Sequence, residues 1–283
     1  MTKTFTLTLS CPQRPGIVHA VSSFLFGRHC DIAEHQQFDD TRGHAFFLRT
    51  TFHCIDDTVD AAQLTEQFTA VADEFGMEFR FDGSELPRVV VMVSKMGHCL
   101  NDLIFRWRAG TLGGDLVAVV SNHETLRPMA EAAGLPFYHI PVTPATKPEA
   151  DAQLLALVDE LDADLVVLAR YMQILSDEAC RALRGRAINI HHSFLPGFKG
   201  AKPYHQAYDR GVKQVGATAH YVTPDLDEGP IIEQEVIRID HSYDPARLAH
   251  VGQDAEALAL SRAVRWHCEN RVLLHGHRTV VFS

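Results

Sequence analysis

The sequence predicts an α/β protein of two domains, a ferredoxin-like βαββαβ domain followed by a larger Rossmann-like domain with a mainly parallel sheet. Up to about residue 81, the apolar patterns follow the order strand, helix, strand, strand, helix, strand. From Arg88 onward, short β-branched runs alternate with helical stretches, the pattern of a parallel sheet covered on both faces. A polar segment with Gly and Pro, residues 82–87, separates the two patterns, so we expect domains at residues 1–84 and 85–283.

In the first domain, alternation of apolar and polar residues predicts the strands, and an apolar stripe at helical spacing predicts the helices. The expected strands are Phe5–Ser10, Asp31–Phe38, His44–Phe52 and Met77–Phe81, and the expected helices are Ile17–Phe26 and Ala61–Phe75. Asp39–Gly43 forms the turn between the two middle strands.

In the second domain, β-branched runs predict strands at Val89–Val93, Leu116–Ser121, Phe137–Ile140, Asp164–Leu168 and Ala187–Ile190. Helices are expected between them, at Leu100–Ala109, Glu124–Ala133 and Ala150–Leu161. Gly216–Val222 and Pro230–Ile239 then form two strands with no helix between them, followed by a helix at Asp254–His267 and a last strand at Arg278–Phe282.

The composition narrows the class of protein. The formal charge of -10 argues against a general partner of nucleic acid or of an anionic membrane surface. No apolar run reaches the length of a membrane span, and residues 1–9 alternate like a strand instead of forming the apolar core of a secretory signal. The cysteines show no Cys-x-x-Cys spacing, so we expect reduced thiols in the cytoplasm; they are Cys11, Cys30, Cys54, Cys99, Cys180 and Cys268.

The most informative motif lies at the end of a predicted buried strand, where Asn189 and His191 precede a loop with Pro and Gly. Residues i and i+2 of a strand face the same side, so an amide donor and an imidazole can reach one substrate atom together. Asp227 lies in a second loop, residues 223–230, which follows a later strand. Asn and Asp also favour turns, so each residue alone is a weak indication of catalysis.

Ligands of open α/β sheets bind beyond the carboxyl ends of the strands. Four predicted loops follow strands and are expected to meet in one cleft, at residues 94–98, 169–175, 189–200 and 223–230. The loop at residues 94–98 contains one glycine and lacks the Gly-x-Gly-x-x-Gly fingerprint of a dinucleotide site.

These segments resemble the folate-dependent formyltransferases, which carry an Asn-x-His pair and a Leu-Asp-x-Gly-Pro motif, here Leu226 to Pro230. The chain is most similar to their formyltetrahydrofolate deformylase branch, with which it shares His191-His192 and the run from Gly200 to Tyr208. The likeness extends over nearly the whole chain. It implies that Asn189, His191 and Asp227 form a catalytic trio.

The resemblance also implies a substrate and a reaction. The substrate is 10-formyltetrahydrofolate, hydrolysed to tetrahydrofolate and formate, and the formate supplies purine synthesis; no cofactor or metal is expected. The residues expected to bind the substrate are Tyr171, Met172, Gln173, Ile174, Leu175, His192, His220 and Thr223. The loop at 171–175 would hold the pterin ring, and Lys199 and Lys202 are candidates for contact with an anionic folate tail.

The chemistry of deformylation assigns roles to the trio but leaves one of them open. Asn189 can donate a hydrogen bond to the formyl oxygen as that oxygen gains negative charge. Asp227 can accept a proton from water or hold His191 as imidazolium, and the sequence does not decide which of the two is the base.

Three other interpretations remain at this point. The first is a formyltransferase with an amine acceptor, although glycinamide ribonucleotide transformylases use a Gly-rich loop for the acceptor phosphate where this chain has the poorly suited Ser94–Asn101. The second is a metal-dependent hydrolase using His191, His192, His220 and a carboxylate. If the strand continues past His191, the adjacent His191 and His192 point to opposite faces, which makes joint ligation awkward. The third is a non-catalytic ligand sensor.

The first domain has a resemblance of its own. Gln13-Arg14-Pro15-Gly16-Ile17 resembles the Asp-Arg-Pro-Gly-Ile signature of ACT domains, with Gln13 in place of the Asp. ACT domains commonly bind small ligands, so the resemblance implies either an amino-acid effector or a role in packing and dimerisation. A homo-oligomer is expected on the same basis.

Overall fold

A computed structural model describes residues 3–55, 58–197 and 203–282 of the chain. Lys199, Lys202 and the run from Gly200 to Lys202 lie outside the described residues. The chain forms two compact units: the first comprises Met1–Glu85, Asn270–His275 and Val280–Ser283, and the second comprises Leu86–Glu269 and Gly276–Thr279. Among the described residues, no helix is both long enough and apolar enough to cross a membrane.

The first unit has the predicted βαββαβ order. Its elements are β1 (Lys3–Pro12), α1 (Ile17–Phe26), β2 (Cys30–Asp40), β3 (Ala45–Cys54), α2 (Ala61–Phe75) and β4 (Glu78–Asp82). The strands form an antiparallel sheet in the order β2-β3-β1-β4. The ferredoxin-like prediction is therefore confirmed.

The alternation of β1 explains where the core of this unit lies. Phe5, Leu7 and Leu9 are buried and alternate with partly exposed threonines and a serine, so one face of the strand meets the helices. Phe68 of α2 is fully buried in the same cluster. α2 begins at a capping box in which the Asp60 carboxylate accepts from the backbone N–H of Gln63, which satisfies a backbone donor that the first helical turn would leave free.

The prediction that all cysteines are reduced thiols is wrong for one pair. Cys30 and Cys54 form a disulfide between β2 and β3, where they are directly opposite each other in the strand register. Their separation of 24 residues gives no motif, because only the antiparallel register brings the two side chains together. The other four cysteines are free and buried, and they pack as small apolar side chains.

The second unit alternates strands and helices. It begins with β5 (Arg88–Val93), α3 (His98–Arg108), β6 (Asp115–Ser121), a 3₁₀ turn (Glu124–Leu126), α4 (Arg127–Ala132), β7 (Phe137–His139), α5 (Lys147–Glu160), β8 (Leu165–Leu168), α6 (Asp177–Ala182) and β9 (Ala187–His191). It continues with α7 (Pro203–Asp209), β10 (Gln214–Tyr221), β11 (Ile231–Arg238) and α8 (Pro245–Cys268). The last two strands, β12 (Val272–His275), which belongs to the first unit, and β13 (Arg278–Val281), form a two-stranded sheet of their own.

The large sheet has the strand order β11-β10-β9-β8-β5-β6-β7. The strands from β5 to β9 pair in parallel, and β10 and β11 add an antiparallel edge. The mainly parallel prediction is confirmed. Strand order reverses at β5, so the carboxyl ends of β5 and β8 border the crevice where such sheets bind ligands.

The largest difference from the sequence prediction concerns α8, which begins at Pro245 instead of Asp254. The Asp244 carboxylate caps it by accepting from the N–H of Arg247, and Pro occupies the first helical position. This cap and the proline at its side mark a helix start that the apolar spacing alone does not show. Three short elements, α6, α7 and β12, were not predicted.

Candidate active site

The site is built around β9, a short buried strand between β8 and β10. Its apolar residues Ile188 and Ile190 anchor it in the sheet, and Asn189 and His191 alternate with them. Both polar side chains line one cleft, as their i, i+2 spacing predicts.

His191 forms an ion pair with Asp227. His191 Nδ1 lies 3.2 Å from Asp227 Oδ1, and the two side chains are 6% and 13% exposed. The hydrogen bond from His191 holds the pKa of the Asp227 carboxyl below its ordinary value, against the opposing effect of burial. The other ring nitrogen, Nε2, is buried and makes no hydrogen bond, so His191 has a free polar atom beside the cleft.

Asn189 is oriented by His220, its cross-strand neighbour on β10. His220 Nδ1 lies 2.9 Å from the carbonyl oxygen of Tyr221 and donates to it, which leaves Nε2 to accept from Asn189 Nδ2 at 3.3 Å. Burial lowers the pKa of His220 and so favours this neutral form. The Asn189 amide therefore presents one N–H to His220 and keeps a second donor.

The Asp227 loop reaches His191 by folding back along the sheet. β10 is antiparallel to β9, so its last residue, Tyr221, lies opposite Ile188 near the start of β9. Asp227 has a left-handed backbone with φ 58, a conformation that Asp tolerates better than most residues. At Gly229, a Cβ atom would clash with the Tyr221 carbonyl oxygen, so glycine is required where the loop crosses β10.

The cleft has a volume of about 480 Å³, a typical size for a small-molecule site. The eleven residues predicted to be catalytic or to bind the substrate all line it: Asn189, His191, Asp227, Tyr171, Met172, Gln173, Ile174, Leu175, His192, His220 and Thr223. Met172, Ile174 and Leu226 are more than half exposed and give it apolar walls. Burial raises the pKa of Tyr171 to about 12, so its hydroxyl stays protonated.

The loop at residues 94–98 follows β5, as predicted, and contacts the 171–175 segment. Its residues do not line the described cleft, in contrast to the other three loops. Ser94 supports the wall instead: its hydroxyl accepts from the backbone N–H of Met172 and donates to Asn122. Ser94 therefore holds the backbone of the 171–175 segment in place without lining the cleft itself.

The structure places His192 in the cleft together with His191. β9 ends at His191, so the two adjacent histidines do not point to opposite faces; both line the cleft and their ring centroids are 5.2 Å apart. Burial and the charge of Arg170 lower the pKa of His192 to about 4, which keeps it neutral near pH 7. Neither ring nitrogen has a hydrogen-bond partner among the described residues.

A second polar cluster, absent from the sequence analysis, centres on the carboxylate of Glu256 in α8, which is 1% exposed. It accepts from His98 Nε2 at 2.8 Å and from the Tyr204 hydroxyl at 2.7 Å, and Arg170 Nε lies 3.4 Å away. Burial opposes ionisation of Glu256, but these partners outweigh it and its pKa lies below the ordinary value. A charged residue on the apolar face of α8, beside Ala255 and Ala259, is the signal that could have identified it.

His98, Cys99 and Glu256 bring three possible metal ligands together. Burial and the charge of Glu256 hold the pKa of the Cys99 thiol well above its ordinary value, so it is a neutral thiol instead of a thiolate. Both Glu256 oxygens already accept hydrogen bonds. The cluster is explained by these hydrogen bonds.

Known proteins resemble the chain over nearly its whole length. Residues 87–264 match the family model of the formyl transferases. A formyltetrahydrofolate deformylase of Corynebacterium sp. (strain P-1) is 53% identical over 278 residues, covering 97% of this chain and 96% of the relative. The formyltetrahydrofolate deformylase of Bacillus subtilis (strain 168) is 46% identical over 279 residues, covering 98% and 93%.

Solved structures give the same result. The formyltetrahydrofolate deformylase of Burkholderia mallei ATCC 23344 is 52% identical, covers 99% of this chain and 100% of its own, and superposes with a TM-score of 0.94. The glycinamide ribonucleotide transformylase 1 of Symbiobacterium toebii is 31% identical, covers 72% of this chain and 97% of its own, and has a TM-score of 0.66. The deformylase structure thus matches both units, and the transformylase structure matches a part of the chain.

Proposed function

Since the chain belongs to the formyltetrahydrofolate deformylase family, we propose that it hydrolyses 10-formyltetrahydrofolate to tetrahydrofolate and formate with Asn189, His191 and Asp227. The observation that carries this proposal is the His191–Asp227 pair, whose free Nε2 lies beside a cleft that Asn189 also lines. An acid–base pair and a separate donor are what water needs to attack an amide carbon.

Asn189 stabilises the oxyanion. As water attacks the formyl carbon, the carbonyl π electrons move to oxygen, and that oxygen needs a donor already in position. The Asn189 amide supplies its second N–H, while His220 holds the first at 3.3 Å. Because His220 is itself fixed by the Tyr221 carbonyl, the amide does not have to reorient during the reaction.

The His191–Asp227 pair handles the proton. With Nδ1–H donated to Asp227, His191 presents Nε2 as the atom that exchanges a proton with water and leaving group. The attacking water loses a proton to the pair, and its oxygen bonds to the formyl carbon. The electron pair on the oxyanion then re-forms the carbonyl bond, and the carbon–nitrogen bond breaks with its electrons on nitrogen. The pair returns the proton to that nitrogen, and the titration belongs to the pair as a unit.

The 171–175 wall provides the place for the pterin. A flat heterocycle fits a cleft with exposed apolar side chains such as Met172 and Ile174, and backbone groups can pair with its edges. His192, His220 and Thr223 contribute polar atoms at the reacting end. In the cytoplasm such an activity returns free folate to the one-carbon pool and supplies formate to purine synthesis.

The test is formate release from 10-formyltetrahydrofolate by the purified chain without any amine acceptor. We expect steady turnover that is insensitive to added glycinamide ribonucleotide and to a chelator. Turnover that requires the acceptor would establish a transferase, and loss of turnover on chelation would establish a metal-dependent hydrolase.

For the ACT-like region, residues 1–84, we propose a role in regulation by an amino acid and in assembly of a homo-oligomer. The ferredoxin-like fold of the first unit and the Gln13–Ile17 motif support it. Formate release by the full chain, measured with each of the standard amino acids, tests the effector, and light scattering tests the oligomer. A rate unchanged by every amino acid and a monomeric mass would remove the two parts of this proposal.

A further inference from the structure

We infer that His192 is a further catalytic residue, a neutral imidazole that holds the attacking water, and that Arg170, backed by Glu256, maintains it in that form. The inference rests on the proposed hydrolysis and deepens it. The proposed trio supplies an oxyanion donor and, at His191 Nε2, one acceptor for the water, and a single hydrogen bond leaves the water free to turn about it, so a second partner is needed to fix its orientation.

His192 is held in the cleft by two neighbouring rings. Its ring lies 5.2 Å from the ring of His191 and 6.3 Å from that of Tyr204, and it lines the cleft with the trio. Packing between two rings restricts its orientation. Its nitrogens have no partner among the described residues, so a lone pair and an N–H remain for a ligand.

Water is a ligand that a neutral His192 can bind. A neutral imidazole offers one acceptor and one donor on different edges of its ring, and either of them can form a hydrogen bond to the attacking water. With a pKa of about 4, His192 is too weak a base to carry the proton at neutral pH. It orients the water, and the proton passes to the His191–Asp227 pair.

The charged groups around His192 determine its protonation state. Burial and Arg170 oppose its protonation, with a smaller contribution from His191, whereas Glu256 and Asp227 favour it. The Arg170 side chain is 10% exposed, and its Nε and Nη1 are buried without hydrogen bonds. A nearby anion offsets the cost of burying such a charge, and the Glu256 carboxylate, 3.4 Å from Arg170 Nε, is that anion.

Glu256 also fixes the ring that packs on His192. Its Oε1 accepts from the Tyr204 hydroxyl, and Gly252, one turn earlier in α8, leaves space where a Cβ atom would clash with that hydroxyl. The Glu256 carboxylate thus holds both the Arg170 guanidinium and the Tyr204 ring, which are neighbours of His192. These contacts are between residues of the second unit alone.

Two substitutions at His192 test the inference by acceptor-free formate release. His192→Phe keeps a ring but removes both nitrogens, and we expect kcat to fall about 10²-fold with little change in KM, the effect of a misplaced nucleophile. His192→Gln keeps a donor and an acceptor and should recover most of that loss. A Phe variant with the wild-type kcat, or a Gln variant as slow as the Phe variant, would overturn the inference.

The third variant leaves His192 in place. Arg170→Met removes a charge that opposes protonation, so the pKa of His192 measured by NMR, and the acid limb of kcat, should both move to higher pH. In the double variant Arg170→Met/His192→Gln the shift of the acid limb should disappear. An acid limb that stays in place in Arg170→Met, or moves equally in the double variant, contradicts the inference. If the wild-type chain itself releases no formate, the proposed hydrolysis has failed instead.

Discussion

Two buried carboxylates in the second unit each pair with a histidine, but their surroundings differ. Asp227, 13% exposed, pairs with His191, whose Nε2 remains without a partner beside the cleft. Glu256, 1% exposed, has both oxygens occupied, by His98 and by Tyr204. Burial, charge pairing and a lowered pKa are common to the two sites. Unused hydrogen-bonding capacity at the cleft is what distinguishes the site expected to react from the site that holds the structure.

We expect the largest loss of activity for Asp227→Asn, an isosteric change that removes the negative charge. His191 loses the carboxylate that fixes its Nδ1–H, so kcat for formate release should fall about 10³-fold, within the range of general acid–base effects. The free energy of unfolding should change little by comparison. Steady-state formate release and urea unfolding measure the two quantities, and an Asn variant with more than about a tenth of wild-type kcat refutes the role.

Asn189→Ala should have the next largest effect. Loss of one oxyanion donor lowers kcat by about 10²- to 10³-fold. The matched variant is His220→Gln, which keeps an acceptor for the Asn189 amide and should therefore lose much less. If the two variants are equally impaired, His220 participates directly and the division between donor and support is incorrect.

Glu256→Gln should show the reverse pattern to Asp227→Asn. Hydrogen bonds of a buried charged group to His98 and Tyr204 are weakened, so the free energy of unfolding should fall by about 2 kcal/mol. The loss of kcat should be much smaller than for Asp227→Asn. Glu131→Gln, at an exposed pair with Arg127, is the control and should change stability by about 0.5 kcal/mol or less. A Glu256 variant as stable as this control would remove the distinction between the two sites.

Sequence and structure agree where the spacing of apolar residues decides the outcome. The period of two in β9 predicts that Asn189 and His191 share a face, and the apolar patterns predict most helices and strands. Contacts between residues distant in sequence have no such pattern. Arg170 meets Glu256 because α8 packs beside the sheet, and Cys30 meets Cys54 through the strand register. Asp227 is the intermediate case: its motif is visible, but its approach to His191 depends on the reversal of β10.

The pH dependence of stability gives the smallest and most specific prediction. The pKa of Glu256 in the folded state lies below its ordinary value of 4.5, so its ionised form stabilises the fold above that pH. This contribution is lost as the pH falls through the still lower folded pKa, where the wild-type carboxyl becomes neutral like the Gln amide. The difference in unfolding free energy between wild type and Glu256→Gln should therefore be constant near neutral pH and shrink below about pH 4.5. Urea unfolding of both proteins from about pH 7 to about pH 3 measures it, and a difference that grows on acidification would mean that Glu256 is buried in its protonated form.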